Sequence, residues 1–257
     1  MTKPLNRIAF VSSGSPKALG ALKELAKRYG NAPIDACDVI VALGGDGFVL
    51  HCFHEYLDTG TPIYGMNRGT VGFLMNEYED NDLPQMINAA KPEILTPLTM
   101  SATRTTGEVE YALAFNEVSV LRSSRQSANL KISINSQTEI EKLICDGALV
   151  ATPAGSTAYN LSVHGPVVPI GSGVIALTPV SAFRPRRWRG ALLPDDAIVT
   201  FQNLDCDKRP INASADHTEV TNVESVTITK AKDKYVVALF NDGHSLNERI
   251  LREQFAV

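Results

Sequence analysis

Three polar constellations in this chain could carry chemistry. The first is Gly44-Gly45-Asp46-Gly47, set between the apolar run Asp38-Val-Ile-Val-Ala-Leu43 and a helical pattern. Glycines let a main chain come close to a ligand, and free amides at a strand end and helix start favour a phosphate. A carboxylate in an anion site repels its ligand, so Asp46 needs a task. It can take a proton from an attacking hydroxyl or hold Mg²⁺; in a plain turn it would only cap the helix. The second is Asn116-Glu117, inside the apolar run Tyr111–Leu121. Neighbours on a strand point to opposite faces and burying both is costly, but a bulge or strand end lets them converge on one ligand. A carboxylate can accept from two vicinal hydroxyls, as on a ribose. Taken alone, the pair reads more simply as an edge-strand pair facing water. The third is Cys145-Asp146-Gly147-Ala-Leu-Val-Ala-Thr152-Pro-Ala-Gly-Ser156-Thr157-Ala158-Tyr159, an apolar strand feeding a turn with Pro and Gly. Ser156 or Thr157 can cap a following helix. The hydroxyls, amides and Tyr159 ring gathered there suit a nucleoside.

Other groupings say less. Ser156, His164 and Asp146 are the residue types of a hydrolytic triad, but Ala154-Gly-Ser-Thr-Ala158 is not G-x-S-x-G. His51 and His54 share a helix face with no third ligand beside them, and no metal centre is expected. Arg184-Pro-Arg-Arg-Trp-Arg189 is a basic cluster that faces water or phosphate, and Asp216-His217 is a functional pair or an ordinary turn. Cys37, Cys52, Cys145 and Cys206 form no C-x-x-C pair and read as reduced thiols of a cytoplasmic protein.

The elements that must position these groups change character along the chain. Arg7–Ser13, Asp38–Leu43 and Pro62–Met66 read as short apolar strands. Between and after them, Pro16–Gly30, the segment after Gly47 and Leu83–Ala90 have helical spacing, the last ended by Lys91-Pro92. Strands alternating with helices imply an α/β layer with a Rossmann-like parallel sheet. After Pro92 come short β-branched runs separated by polar turns: Tyr111–Leu121, Leu130–Ile134, Leu143–Thr152, Val174–Thr178, Ala197–Phe201, Val226–Thr229 and Tyr235–Phe240. They read as an all-β, sandwich-like part. The expected division is 1–95 joined by a closing helical segment, 244–257, against a β-rich 96–243. The 257 residues carry 24 Lys plus Arg and 28 Asp plus Glu, a net charge of −4, with 44% hydrophobic residues. That composition excludes disorder and argues against a dedicated nucleic-acid binder. No apolar run reaches membrane-spanning length, and the first residues lack the apolar stretch of a signal peptide.

Together the residues resemble the NAD kinase family in its compact bacterial form, over roughly residues 40 to 220. The carriers are Gly44-Gly-Asp-Gly47, Tyr64-Gly-Met-Asn67-Arg-Gly69-Thr-Val-Gly72-Phe-Leu74, Asn116-Glu117, Asp146-Gly147, Thr152-Pro-Ala-Gly-Ser-Thr-Ala-Tyr159, Gly165-Pro166 and Arg184-Pro185. The resemblance implies phosphoryl transfer from ATP to the 2′-hydroxyl of the adenosine ribose of NAD, giving NADP. It implies Asp46 as the catalytic aspartate, Gly45 and Gly47 along the phosphates, and Asn116 and Glu117 on the adenosine half. Asp146, Ser156, Thr157, Ala158 and Tyr159 would form the wall that holds the dinucleotide, with Phe73 and Ser162 in the same cofactor-binding set. Mg²⁺ or another divalent cation would accompany the nucleotide. An α/β domain, a β-sandwich-like domain with the site between them, and a homotetramer or dimer are further implications. The chain departs from the family pattern at Val163-His164, at His217 and at Arg68. A lipid or sphingoid kinase shares the glycine-rich loop but does not require Asn116-Glu117 or Thr152–Tyr159. A non-catalytic dinucleotide sensor would be expected to lack Asp46.

Overall fold

A computed structural model describes residues 5–69, 72–186, 188–243 and 245–255. Thr70, Val71, Arg187 and His244, which belong to segments singled out above, lie outside the described residues. One compact unit comprises the residues up to Leu95 with Lys234–Arg252; the other comprises Thr96–Asp233 with the residues from Glu253 on.

The first unit begins β1 (Ile8–Ser12), α1 (Pro16–Tyr29), β2 (Val39–Gly44), α2 (Asp46–Glu55), β3 (Ile63–Asn67), α3 (Leu83–Ala89) and β4 (Lys91–Leu95). Ser15 caps α1 by accepting from the Ala18 amide, Pro16 opens its first turn, and Gly30 closes it at φ +79°. β1, β2 and β3 are parallel neighbours, with Ile40 opposite Ile63 and Gly44 opposite Asn67. Ala18, Ala21 and Leu25 of α1 and Leu83 and Ile87 of α3 pack with Val39, Val41, Leu43, Tyr64 and Met66. The alternate residues Ile40 and Ala42 are buried as well. A strand covered on both faces needs an unbroken apolar run, which is how β2 reads.

The second unit contains β5 (Leu98–Arg104), β6 (Val109–Ala114), β7 (Glu117–Arg122), β8 (Ala128–Ile134), β9 (Gln137–Cys145), β10 (Gly147–Ala151), α4 (Tyr159–Ser162), β11 (Val174–Val180), β12 (Ala191–Pro194), β13 (Val199–Asn203), β14 (Ile211–Ala215), β15 (Thr218–Val220) and β16 (Val223–Lys230). They form two six-stranded sheets, in the orders β12-β11-β10-β7-β14-β15 and β6-β5-β16-β13-β8-β9. One core joins them: Val118, Val120, Ala148, Val150 and Ala213 from the first meet Met100, Leu130, Phe201 and Val226 from the second. This is the expected sandwich.

Two apolar runs that read as single strands are each broken at a polar residue. Tyr111–Leu121 becomes β6 and β7, parted at Phe115-Asn116. Leu143–Thr152 becomes β9 and β10, parted at Asp146. In both cases the two pieces lie in opposite sheets. Periodicity cannot show such a crossing, because both pieces are apolar on the same inner side.

The chain then returns to the first sheet. β17 (Val236–Phe240) runs parallel to β3 and antiparallel to β4, giving the order β1-β2-β3-β17-β4. This corrects two expectations. Tyr235–Phe240 does not belong to the β-rich part, and Lys91-Pro92 does not merely end a helix but opens β4. β4 is an edge strand, where a proline costs no ladder bond. The closing helix α5 spans Leu246–Glu253. Ser245 and Glu248 cap it reciprocally, each taking up an amide of the other.

Candidate active site

The strand-to-helix junction in the first unit is built around Asp46. The main chain leaves β2 extended at Gly45 and enters α2 at Asp46. The Asp46 carboxylate accepts from two consecutive amides, Phe73 at 2.6 Å and Leu74 at 2.8 Å. The segment supplying them is pinned back on the junction, since the Arg68 amide donates to the Gly44 carbonyl and the Asn67 side chain accepts from the Gly69 amide. A Cβ on Gly72 would come within 3.0 Å of Asp46 Oδ1. Gly45 and Gly47 differ: a Cβ on either meets nothing within 4 Å. The protein's own packing does not require glycine there, and both have negative or extended backbone rather than left-handed φ. That open strip beside a helix start fits a polyphosphate.

Arg249 of α5 was not legible in the sequence as part of this arrangement. Its Nη1 donates to the carbonyls of Gly72 at 3.1 Å, Phe73 at 3.0 Å and Met75 at 2.5 Å. Nothing in a polar C-terminal segment singles this arginine out; only the packing of α5 does.

In the second unit the turn between β14 and β15 organises Asn116 and Glu117. Asp216, at φ +48°, accepts from the amides of Phe115 at 2.7 Å, Asn116 at 3.0 Å and Glu117 at 3.3 Å. The pair therefore sits at a strand end, one of the two arrangements expected to let both residues serve one ligand. Thr152 closes the other side: its amide donates to the Asn116 carbonyl, and its hydroxyl donates to the Phe115 carbonyl while accepting from the Gly155 amide. Glu117 lies opposite Ala151 on the sheet face that also carries Leu149, against which Tyr159 of α4 packs. Glu117 Oε2 is buried without a hydrogen-bond partner. Burial first, and the negative Asp216 second, push the Glu117 carboxyl up to about 7. An orphaned buried acceptor of this kind calls for a hydroxyl donor.

The turn after β10 differs from expectation in detail. Ala154–Thr157 is a short 3₁₀ turn, and α4 begins at Tyr159, after Ala158, with no side-chain cap. Neither Ser156 nor Thr157 caps it. Ser156 is fully buried, donating to the Pro153 carbonyl and accepting from the Val168 amide, so its hydroxyl shapes the turn and is not presented to a ligand. Asn160 braces the same turn by donating to Ser156 and Pro166 and accepting from Thr178. Thr157, Ala158 and Tyr159 are half-buried around it and Ser162 is exposed.

Asp146 is not brought to this group. It ion-pairs with Arg122 at 2.5 Å, at the far end of β10 from Ala151. Five residues of strand put it about 17 Å along the sheet from Glu117. The triad of Ser156, His164 and Asp146 does not assemble either, since the first is tied to main chain and the last to Arg122. Among the described residues no group of three or more His, Cys, Asp or Glu could hold a metal ion. The four cysteines are free thiols, and burial raises Cys52 and Cys145 to about 12. Exposed Arg184 and Arg186 lie against the Phe183 ring.

Residues 23–90 match the model of the ATP-NAD kinase N-terminal domain, and residues 115–239 match that of the ATP-NAD kinase C-terminal domain. An NAD kinase of Caulobacter vibrioides is 54% identical over 252 residues, 98% of this chain and 97% of that one. The chain belongs to the NAD kinase family. A second NAD kinase, from Mesorhizobium japonicum, is 52% identical over 99% of both chains. The NAD kinase fold is seen in solved structures as well. Yeast NADH kinase complexed with NADH superposes with a TM-score of 0.83 at 20% identity, over 98% of this chain and 88% of that one. An Archaeoglobus fulgidus NAD kinase in complex with ATP gives 0.74 at 24% identity, over 97% of each chain.

Proposed function

We propose that this chain transfers the γ-phosphate of ATP to the 2′-hydroxyl of the adenosine ribose of NAD, making NADP. One observation carries the reading: Asp46 is held by two amides at a strand-to-helix junction whose flanking glycines face open space. ATP phosphates lie along Gly45, Gly47 and the start of α2. A divalent cation such as Mg²⁺, carried by the nucleotide phosphates rather than by a cluster of protein ligands, would reduce charge on the transferring group. Each Asp46 oxygen keeps a lone pair after accepting its amide, so the carboxylate is oriented and still able to take the 2′-hydroxyl proton. The new bond joins the 2′-oxygen to the γ-phosphorus, the β–γ bridging bond breaks, and ADP leaves. Phe73 contributes its amide to this arrangement.

On the acceptor side, Asn116 and Glu117 hold the adenosine half, the Glu117 carboxyl accepting from the ribose, with Thr157, Ala158, Tyr159 and Ser162 beside it. Ser156 acts by shaping the turn. Asp146 joins the dinucleotide-binding set only in an assembly, and we propose a homo-oligomer, dimer or tetramer. Two exposed large apolar side chains, Leu192 on the edge strand β12 and Phe183, support that proposal. The polar trio of Asn116, Glu117 and Asp216 argues for a polar, ribose-bearing acceptor over the apolar acceptor pocket of a lipid kinase. The test is incubation of the purified chain with ATP, Mg²⁺ and NAD, followed by assay with an NADP-specific dehydrogenase. Formation of NADP supports the reading, and its absence sinks it.

A further inference from the structure

We propose that Arg249, on the closing helix α5, is a positioning residue that sets the Asp46 carboxylate through two shared peptide groups. The inference rests on the kinase reading above. A trans peptide group is planar, and its N–H and C=O point in opposite directions. The amides of Phe73 and Leu74 that hold Asp46 belong to the same two peptide groups as the carbonyls of Gly72 and Phe73. Arg249 Nη1 donates to both of those carbonyls, and to that of Met75. Each of the two peptides is therefore gripped at both ends, by a carboxylate on its N–H and a guanidinium on its C=O. Hydrogen bonds in such a chain polarise one another, and a peptide fixed at both ends cannot rock.

The surroundings are built for this placement. Leu246 and Ile250 are fully buried on the same face of α5 as Arg249. The Ser245–Glu248 capping pair fixes where the helix begins, and the Phe240 ring of β17 lies 5.9 Å from the guanidinium carbon. Burial lowers the Arg249 pKa, with the Asp46 and Glu77 carboxylates opposing. A half-buried guanidinium facing three carbonyls is a costly arrangement for a surface helix, and one whose donors reach the supports of a single carboxylate. The C-terminal helix is thus part of the catalytic apparatus.

The experiment compares Arg249→Gln and Arg249→Lys in the full chain, each alone and combined with Asp46→Asn. NADP formation is measured at varied NAD, and thermal melts are recorded. With Asp46 present, Arg249→Gln is expected to lower kcat about tenfold or more, a loss typical of a misplaced group. The KM for NAD should stay within about twofold, and Arg249→Lys should recover part of kcat. In the Asp46→Asn background the same changes should alter the residual kcat by less than about twofold, because nothing is left to position. An equal loss in both backgrounds, an unchanged kcat, or an effect on the NAD KM alone overturns the inference. If Arg249→Gln gives no cooperative melt, the Arg249→Lys pair decides by the same comparison. An inactive wild type overturns the kinase reading and this inference together; an active wild type with an indifferent Arg249 overturns this inference only.

Discussion

Asp216 holds both main-chain groups of Glu117, one with its own amide and the other with its carboxylate. The Asp216 amide donates to the Glu117 carbonyl at 3.2 Å, and Asp216 Oδ1 accepts from the Glu117 amide at 3.3 Å. Asp216 can do this because it occupies the left-handed region in a two-residue turn, where Ala215 still pairs with Thr218. The residue that orders the Asn116-Glu117 backbone is thus a second carboxylate beside Glu117.

Removing Asp216 should loosen that strand end. Asp216→Ala leaves the amides of Phe115, Asn116 and Glu117 without their acceptor, a loss of about 3 kcal/mol. We expect a melting temperature lower by several degrees and an NAD KM raised about tenfold, read from thermal melts and initial rates. An unchanged NAD KM would contradict the role given to this turn.

Glu117 should make stability and binding depend on pH in a stated direction. Its carboxyl is raised from 4.5 to about 7. Between those values the folded chain keeps a proton that the unfolded chain has released. The stability this gives is fully present below the unfolded value and is lost as pH rises through about 7. Glu117→Gln, always neutral, should flatten the melting curve across this window and melt higher than the parent at about pH 8. NAD binding should strengthen in the parent as pH rises through about 7, when the ionised group accepts from both ribose hydroxyls. The Gln variant should lose that dependence and bind NAD more weakly.

The glycines of the first constellation separate ligand space from packing. Gly47 lies in the first turn of α2 with room for a Cβ. Gly47→Ala should hold or raise the melting temperature, since alanine favours a helix by about 1 kcal/mol, while raising the ATP KM severalfold. Gly72→Ala should do the reverse, lowering stability because its Cβ would press on Met75 and Asp46. Equal kinetic behaviour of the two variants would argue against the phosphate strip.

Asp46→Ala should fold and lose on the order of 10²-fold or more in turnover, as for removal of a general base. Circular dichroism checks the fold and the coupled dehydrogenase assay the rate. Near-normal turnover would remove Asp46 from the reaction.

Local chemistry was legible residue by residue. The apolar β2 run, the glycines around Asp46 and the helical spacing of Pro16–Gly30 act over a few positions, so the sequence itself carries them. Asn116-Glu117 was legible as a polar interruption, though the plainer solvent-facing reading competed with it. Ser156 was misplaced because a hydroxyl in a turn looks the same whether it meets a ligand or, as here, the Pro153 and Val168 main chain.

The sequence by itself determined the α/β and all-β halves and the junction at Gly44–Gly47, because strand and helix periodicity and backbone permissiveness are local properties. Only the tertiary structure decided that β17 returns to the first sheet, that apolar runs cross between sheets at Asn116 and Asp146, and that Asp216 and Arg249 are the supports. Those depend on contacts across 99 residues for Asp216 to Glu117 and 176 for Arg249 to Phe73. Pairing at such distances is settled by which buried faces and unsatisfied amides meet, and residue type alone does not encode it.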